Sequence, residues 1–287
     1  MERKSFSTHV AGFAHSDCNV STTSGGLNLI LTNDIWQRVL LICPHPDDET
    51  LGAGILLQEA VFRGAEIKVI YLTYGDRNPI AQFLNERQWP LTRSDRTRFG
   101  ACRGEEAIRA LRTLGVPGSS AEFWNLPDQG LRDSCRTGSA VDLRMLELVR
   151  TFQPTIVVAP TARDLHVDHV AAAHLTRRAI EACGLRITHL TYRVHGELEY
   201  GADMLVGGDS DLRQEVKAAA MNCHRTQLLA SRTRMLQLAA RDEVLRQWEA
   251  EAALPPIRFR GLQRLLHLLP SFQPAAENVE EPGYVRL

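Results

Sequence analysis

Two short clusters of histidine and carboxylate residues are the strongest chemical signal in this 287-residue sequence. The first, Pro44 to Glu49 (PHPDDE), places one imidazole and three carboxylates within five consecutive positions. The second, Asp164 to His169 (DLHVDH), adds two imidazoles and two carboxylates. Prolines on both sides of His45 stiffen the first cluster, because proline restricts φ and removes a backbone donor. Imidazole and carboxylate groups suit zinc, so the sequence predicts a metal site.

Each cluster directly follows an apolar run that predicts a buried β-strand. Residues 38–43 (RVLLIC) and 155–159 (TIVVA) are nearly continuous hydrophobic stretches, as in strands covered on both faces. Functional sites of parallel α/β sheets lie beyond the carboxyl ends of the strands. The two clusters, about 120 residues apart in sequence, should therefore meet in one crevice. Three protein ligands, with a fourth position left to water, would make such a site catalytic.

Segments typical of strands and of helices alternate along the chain. We therefore expect an α/β fold, namely a three-layer, Rossmann-like open sheet that is mostly parallel and has helices on both faces. Further strands are predicted at 66–73, 122–125 and 186–194. Helices are predicted at 50–63, 98–114, 141–150 and 168–183, and two more within 211–253.

The pattern suggests one folded domain with a less regular head and tail. We place the domain at residues 36–254, after an N-terminal extension (1–35) and before a C-terminal tail (255–287). Within the tail, residues 257–269 carry leucines at helical spacing among arginines, which predicts an amphipathic helix. Such a helix would pack on its own domain or, as the next choice, form a subunit contact in a homo-oligomer, and a membrane surface is a further alternative.

Composition excludes several classes of protein. Lys+Arg 33 against Asp+Glu 34 gives a formal net charge of −1, which argues against a nucleic-acid partner. The apolar runs are too short for a transmembrane segment, and residues 1–34 show no signal-peptide pattern, so we expect a soluble, cytoplasmic protein. The six cysteines include no C-x-x-C pair, which argues against a zinc knuckle or a thioredoxin-like site.

Three other features have a functional and a structural interpretation. His195 follows a predicted strand directly and is therefore placed to reach the crevice. His224 could line the site or pack within a helix face, whereas His174 lies five positions after His169 and should point elsewhere. Gly52-Ala53-Gly54 resembles part of a dinucleotide loop, but the third glycine is absent and the pair lies in a helical pattern.

With these motifs, the sequence resembles the LmbE-like or PIG-L-like zinc-dependent N-deacetylases, which remove acetyl groups from N-acetylglucosamine units of larger molecules. The resemblance rests on Pro44 to Glu49 and on His166 to His169, where Val167 replaces the commoner proline. Arg103 with Glu106, Leu126 to Asp128 and the stretch from Lys217 to Gln227 give supporting similarity. The resemblance as a whole covers roughly residues 36–230.

The resemblance implies a role for each motif position. His45, Asp48 and His169 would be the ligands of Zn²⁺, and Asp47 would be the general base. His166 would stabilise the oxyanion or protonate the departing amine. These roles agree with the chemistry, because zinc makes hydroxide available near neutral pH and a neighbouring carboxylate can accept the water proton.

Four further residues are expected around this centre. Arg103 matches the family's substrate-contacting arginine, and it would bind substrate or support the site from behind. Asp164 or Asp168 could hold the ring of His166 and raise its pKa. His195 is included because of its place after a strand.

The expected activity is zinc-dependent removal of an N-acetyl group from a small amino-sugar substrate. One alternative is a zinc amidase that cleaves a larger N-acyl group or a thiol–sugar conjugate, because pocket size would decide between the two. Another is a non-catalytic sugar-binding relative, which predicts the loss of Asp47 or of a metal ligand, and all four positions are present. Residues 74–98, with Phe83, Trp89 and several arginines, could contact a sugar or be a solvated insertion.

Overall fold

A single twisted sheet of seven strands organises the described part of the chain. The computed structural model describes residues 35–198, 203–205 and 211–248. The spatial order of the strands is β3-β2-β1-β4-β5-β7-β6. In chain order they are β1 (Arg38–Cys43), β2 (Glu66–Tyr71), β3 (Ala121–Phe123), β4 (Ile156–Pro160), β5 (Thr188–Tyr192), β6 (Asp203–Leu205) and β7 (Val244–Gln247). The first five strands are parallel, and β7 is antiparallel to both of its neighbours.

Helices cover both faces of this sheet, which confirms the predicted three-layer α/β fold. They are α1 (Asp48–Phe62), α2 (Pro79–Glu86), α3 (Arg93–Thr113), α4 (Leu131–Ser134), α5 (Ala140–Phe152), α6 (Val167–Cys183), α7 (Asp211–Met221) and α8 (Arg225–Ala239). One core cluster includes side chains of α1, α3, α7 and α8, and the other includes those of α5 and α6. Along β1, Leu41 belongs to the first cluster and Leu40 to the second, which explains the continuous apolar run.

The strand order reverses beside β1. From β1 the chain proceeds to β2 and β3 on one side, and then returns to place β4 on the other side of β1. Leu41 pairs with Val69 of β2 and with Val158 of β4, so the three strands are in register at the centre of the sheet. Ligand crevices of open α/β sheets form at such a reversal, beyond the carboxyl ends of the strands.

The antiparallel edge and α2 differ from the sequence-based expectation. Residues 241–253 were expected within a helical stretch, but Val244–Gln247 form β7, because this segment completes the sheet beside β5. Strand β6 and helix α2 were not predicted either. Helix α2 begins at Pro79, and the side chain of Asn78 accepts a hydrogen bond from the Ala81 N–H (3.1 Å).

The two glycines of helix α1 allow close packing. A Cβ atom at Gly52 would overlap the ring of Tyr192, and one at Gly54 would lie 3.0 Å from Cγ of Lys217. The helix also loses regular geometry at Ala53 (φ −145°, ψ 19°). The missing side chains of the two glycines therefore let α1 pack closely against β5 and α7. This structural role agrees with the argument against a dinucleotide loop.

A buried carboxylate supports helix α1 just after this irregular residue. Glu243 accepts hydrogen bonds from the N–H groups of Ile55 (2.8 Å) and Leu56 (2.7 Å), and Lys217 Nζ lies 2.8 Å from its Oε2. The side chains of Glu243 and Lys217 are both about 1% exposed. The pair thus joins α1 and α7 to the segment before β7 while leaving neither charge unpaired.

Some predictions concern residues outside the described ranges. Residues 1–34 of the predicted N-terminal extension and the whole predicted tail, 255–287, belong to this group. The proposed domain limits of 36–254 therefore stay a prediction. Among the helices within the described ranges, none combines the length and the apolar character required to cross a membrane.

We expect Glu243→Ala to lower the free energy of unfolding by about 3–5 kcal/mol, because it leaves the buried Lys217 charge and two backbone N–H groups unpaired. Urea denaturation followed by circular dichroism measures this change. Glu105→Ala, which removes an exposed partner of Arg109, is the control and should leave the midpoint nearly unchanged. Equal midpoints for the two variants would contradict the prediction.

Candidate functional site

The two histidine and carboxylate clusters meet at the carboxyl end of β1 and β4, as the sequence predicted. The ring centroid of His45 lies 4.7 Å from that of His166 and 5.4 Å from that of His169. One ring nitrogen from each of the three residues lies within 4.8 Å of the others. Residues 121 to 124 positions apart in sequence thus share one polar crevice.

Asp48 joins two of these imidazoles. Its Oδ2 lies 3.6 Å from Nδ1 of His45, and its Oδ1 lies 3.3 Å from Nε2 of His169. Two ligand atoms bound to one tetrahedral zinc ion, each at about 2.0–2.1 Å, are roughly 3.3 Å apart. Each of these two pairs is therefore spaced about as two ligands of one zinc ion would be. Burial raises the pKa of Asp48, but the nearby His169 and His45 outweigh this effect and lower the pKa to about 2.

His169 supplies an independent test of whether the site fits a metal. Its side chain is fully buried, and its Nδ1 lies 3.3 Å from Oδ2 of Asp164. The opposite nitrogen, Nε2, faces Oδ1 of Asp48 without a well-formed hydrogen bond, so it is the nitrogen open to a metal ion. An imidazole nitrogen that faces a carboxylate and a second imidazole suits zinc chemistry. The residues present therefore fit a metal ion.

Asp164 lies behind His169 and orients it. Its Oδ2 is 3.3 Å from Nδ1 of His169, on the opposite side of the ring from Asp48. The same carboxylate accepts hydrogen bonds from the backbone N–H groups of His166 (2.9 Å) and His195 (3.2 Å). A carboxylate behind a metal-binding imidazole fixes the ring orientation, and Asp164 has this position.

Asp168 and Asp128 face the outer nitrogen of His45. Nε2 of His45 lies 3.3 Å from Oδ2 of Asp168 and 3.2 Å from Oδ1 of Asp128. Asp168 is itself held by the N–H groups of Gln129 (2.7 Å) and Leu131 (3.2 Å). Carboxylates therefore hold the outer side of the His45 ring, as Asp164 does for the ring of His169.

The expectation that Asp164 or Asp168 holds the ring of His166 is wrong. Their carboxylates face His169 and His45, and Nδ1 of His166 instead accepts the backbone N–H of Asp168 (3.2 Å) as the cap of helix α6. Burial, together with the imidazoles of His45 and His169, lowers the pKa of His166 to about 3 rather than raising it. The neutral ring then carries its proton on Nε2, because Nδ1 is an acceptor.

Asp47 and Arg103 form a buried pair beside this centre. Arg103 Nη2 lies 3.1 Å from Oδ2 of Asp47, and the guanidinium also donates to the carbonyls of Pro46 (2.5 Å) and Gly75 (2.6 Å). Arg103 is only 4% exposed, so its contacts are those of a supporting residue rather than of a substrate-binding arm. Burial raises the pKa of Asp47 to about 6, even though Arg103 opposes this shift.

His195 lies at the crevice, as its place after β5 predicted. Its ring centroid is 5.7 Å from that of His169 and 6.4 Å from that of His166. Burial and the neighbouring His169 lower the pKa of His195 to about 4. His195 therefore adds a neutral imidazole to the wall of the site.

Sequence analysis named Asp128 only as part of the family resemblance, without a role at the site, and left His224 undecided. Asp128 follows the third predicted strand, so the search beyond strand ends could have found it. His224 lies below the site, where its Nε2 is 2.7 Å from Oε1 of Glu49. No local pattern signals this contact, because it depends on where α8 packs.

Comparison with known proteins finds a family that part of the chain resembles. A model of the family described as "PIG-L: GlcNAc-PI de-N-acetylase" matches residues 40–180, which include both motif clusters. This part of the chain, slightly under half of its length, is similar to the PIG-L family. A curated relative, the 1D-myo-inositol 2-acetamido-2-deoxy-alpha-D-glucopyranoside deacetylase of Corynebacterium efficiens, is 28% identical over 169 residues. That match spans 54% of this chain and 53% of the relative, so the chain covers about half of the relative's length.

Solved structures of low sequence identity share the fold of this chain. A deacetylase of the antimicrobial A40926 pseudoaglycone has a TM-score of 0.55 at 24% identity, over 71% of this chain and 88% of that one. A 4-carboxy-2-hydroxymuconate hydratase from Pseudomonas putida has a TM-score of 0.57 at 20% identity, over 76% and 98%. Because one neighbour is a deacetylase and the other a hydratase, the shared fold does not decide the reaction.

We expect His169→Ala to weaken zinc binding by more than about 100-fold, since even changes behind a metal ligand cost about 10–100-fold. Competition between the metal-free protein and a chromophoric chelator measures the affinity. His174→Ala, five positions later on the same helix, is the matched control and should bind zinc like the unchanged protein. Equal losses in the two variants would contradict the assignment of His169 to the metal-binding face.

Proposed function

We propose that this protein is a zinc-dependent hydrolase that removes the N-acetyl group from a small substrate containing N-acetylglucosamine. The carrying observation is the convergence of His45, Asp48 and His169, with Asp47 beside them. The match of residues 40–180 to the PIG-L family and the similarity to a deacetylase named for an acetamido-sugar support the reaction and the substrate class.

Three side chains would hold the metal. They are His45 through Nδ1, His169 through Nε2 and Asp48 through its carboxylate, because these are the atoms that face one another. When bound, zinc polarises a carbonyl oxygen and lowers the pKa of water from 15.7 to about 7. The carboxylates of Asp164 and Asp168 hold the far sides of the two rings, which keeps the donor nitrogens aimed at the common point.

Asp47 is the proposed general base. Its carboxylate is adjacent in sequence to Asp48 and is held by Arg103 at 3.1 Å. In the reaction, the oxygen of water bonds to the amide carbon, and Asp47 accepts the water proton. When the C–N bond breaks, the same proton can pass to the amine nitrogen, so the products are acetate and the free amino sugar. A base with a pKa near the working pH is best suited to this exchange.

His166 is proposed to bind the oxygen that becomes negative during attack. Its Nδ1 accepts a backbone N–H, which leaves the Nε2 proton available as a donor. A fixed neutral donor of this kind stabilises developing charge without the cost of reorganising water. Of the two roles expected from the sequence, hydrogen bonding to the oxyanion fits this geometry better than donation of a proton to the amine.

The test is acetate release from a panel of N-acetylglucosamine compounds, each paired with an analogue that has a longer N-acyl chain. The purified protein is assayed as prepared, after chelation and after zinc is returned. We expect acetate release that chelation abolishes and zinc restores. Cleavage of only the longer analogues would replace the proposal with the amidase alternative, and no cleavage by the zinc-loaded protein would overturn amide hydrolysis for this panel.

We expect Asp47→Ala to retain zinc and to lower kcat by about 10²–10⁴-fold, because proton transfer by a positioned side chain contributes about this much. Metal analysis and steady-state kinetics on the same preparation separate the two effects. A kcat near that of the unchanged protein would show that another group accepts the proton.

For His166→Ala we expect most of the zinc to remain and kcat to fall by about 10²–10³-fold, as for the loss of one oxyanion donor. His166→Gln, whose amide can donate a hydrogen bond, should recover part of the rate. If KM alone changed and kcat did not, His166 would be a substrate-binding residue and the proposed role would be wrong.

A further inference from the structure

Asp47 has an unusual backbone conformation for a residue with a side chain. Its φ is 119° and its ψ is −23°, in the half of conformational space that normally favours glycine. Such a conformation persists only where the surrounding contacts enforce it, and it occurs often at functional sites. The contacts of Asp47 should therefore show what keeps it there.

Three sets of contacts restrain Asp47. Its N–H donates to Oε2 of Glu49 (2.9 Å). Its carbonyl accepts the N–H groups of Thr50 (3.1 Å) and Leu51 (2.9 Å), which begin helix α1. Its carboxylate is bound by Arg103 (3.1 Å). The N–H of Asp47 thus depends on a single side chain, that of Glu49.

Glu49 uses both carboxylate oxygens in this position. While Oε2 accepts the Asp47 N–H, Oε1 accepts the hydroxyl of Thr50 (2.7 Å) and lies 2.7 Å from Nε2 of His224. Glu49 and His224 are both completely buried. A carboxylate in such a place needs a partner that is polar or charged, and His224 is that partner.

Helix α3 fixes both ends of this arrangement. Its Arg103 binds the carboxylate of Asp47, and its Glu106 accepts the N–H (3.0 Å) and hydroxyl (2.6 Å) of Thr226 at the start of α8. Residues three apart lie on one face of a helix, so both contacts come from the same side of α3. The position of His224, two residues before Thr226, is therefore tied to the helix that also holds Asp47.

We propose that Glu49 and His224 are positioning residues for Asp47, with His224 holding the Glu49 carboxylate and Glu49 holding the Asp47 backbone. The inference rests on the proposed role of Asp47 as general base and deepens it. Neither residue touches the reacting atoms in this account. Their contribution is to place the base, and a displacement of about 1 Å can cost about 100-fold in rate.

A buried pair of the same design provides a matched control. Glu243 also accepts backbone N–H groups of helix α1 and also has a buried cationic partner, Lys217. It supports Ile55 and Leu56, however, and within the described residues it forms no hydrogen bond with Asp47. If His224 only stabilised the fold, disrupting the Glu49–His224 pair and disrupting the Glu243–Lys217 pair would have the same effect on kcat.

The first experiment compares His224→Ala, His224→Gln and Glu243→Gln in the full chain loaded with zinc. For His224→Ala we expect kcat per folded molecule to fall by about 10–100-fold, while KM and zinc content change little. His224→Gln, whose amide can donate to Glu49, should recover most of this loss. Glu243→Gln should lower Tm but leave kcat within about twofold. An equal kcat for His224→Ala and Glu243→Gln would overturn the proposal.

A double-mutant cycle tests whether His224 acts through Asp47. In the Asp47→Ala background we expect His224→Ala to cause a further change in kcat of less than about twofold, because the base to be positioned is gone. If His224→Ala lowered kcat by the same factor in both backgrounds, the two residues would act independently and the proposal would be wrong.

Hydrogen exchange provides a readout that does not need activity. We expect the peptide spanning residues 45–51 to exchange faster in His224→Ala than in the unchanged protein, and not in Glu243→Gln, because only the first variant frees the Asp47 N–H. Unchanged exchange in His224→Ala would overturn the positioning role. Failure of the unchanged protein to hydrolyse any N-acyl sugar would instead overturn the proposed function while leaving this exchange result in place.

Discussion

The need to compensate buried negative charge governs the architecture around the crevice. Six carboxylates are each no more than 8% exposed there, namely Asp47, Asp48, Glu49, Asp128, Asp164 and Asp168. An unpaired charge in such a place would destabilise the fold by several kcal/mol. Arg103 and the three imidazoles of His45, His169 and His224 each face at least one of them. A divalent metal ion between Asp48 and two imidazoles would add positive charge where these groups are densest.

The sheet brings these charges together at low conformational cost. Because β1 lies between β2 and β4, the loops after β1 and β4 emerge side by side at the reversal of strand order. Each loop leads directly into a helix, α1 or α6, whose positive end favours the carboxylates of its first turn. The apolar layers on either side of β1 then exclude water from below, so the polar groups find their partners in one another and in nearby backbone groups.

Much of this arrangement could be predicted from the sequence. The parallel core of the sheet was predicted from the apolar run 38–43 and from the limits of the predicted helices. This was possible because burial of a strand on both faces leaves a local sequence pattern. The short strand β7 was not predicted, since four residues of mixed polarity become a strand only through pairing with β5. Helix α2 was likewise missed within a polar segment, although Asn78 and Pro79 are typical of a helix start.

The sequence by itself determined which residues could do chemistry at the crevice. His45, Asp47, Asp48, His166 and His169 follow buried strands, and the geometry of parallel sheets brings such positions to one edge. Only the tertiary structure decided how these groups are paired. The carboxylate of Asp164 faces the ring of His169, that of Asp168 faces the ring of His45, and neither carboxylate holds the ring of His166. Arg103 turns inward to Asp47, and His224 reaches Glu49 from a helix 175 positions away. Such pairings depend on side-chain rotamers and on the packing of distant helices, which no local pattern of residues encodes.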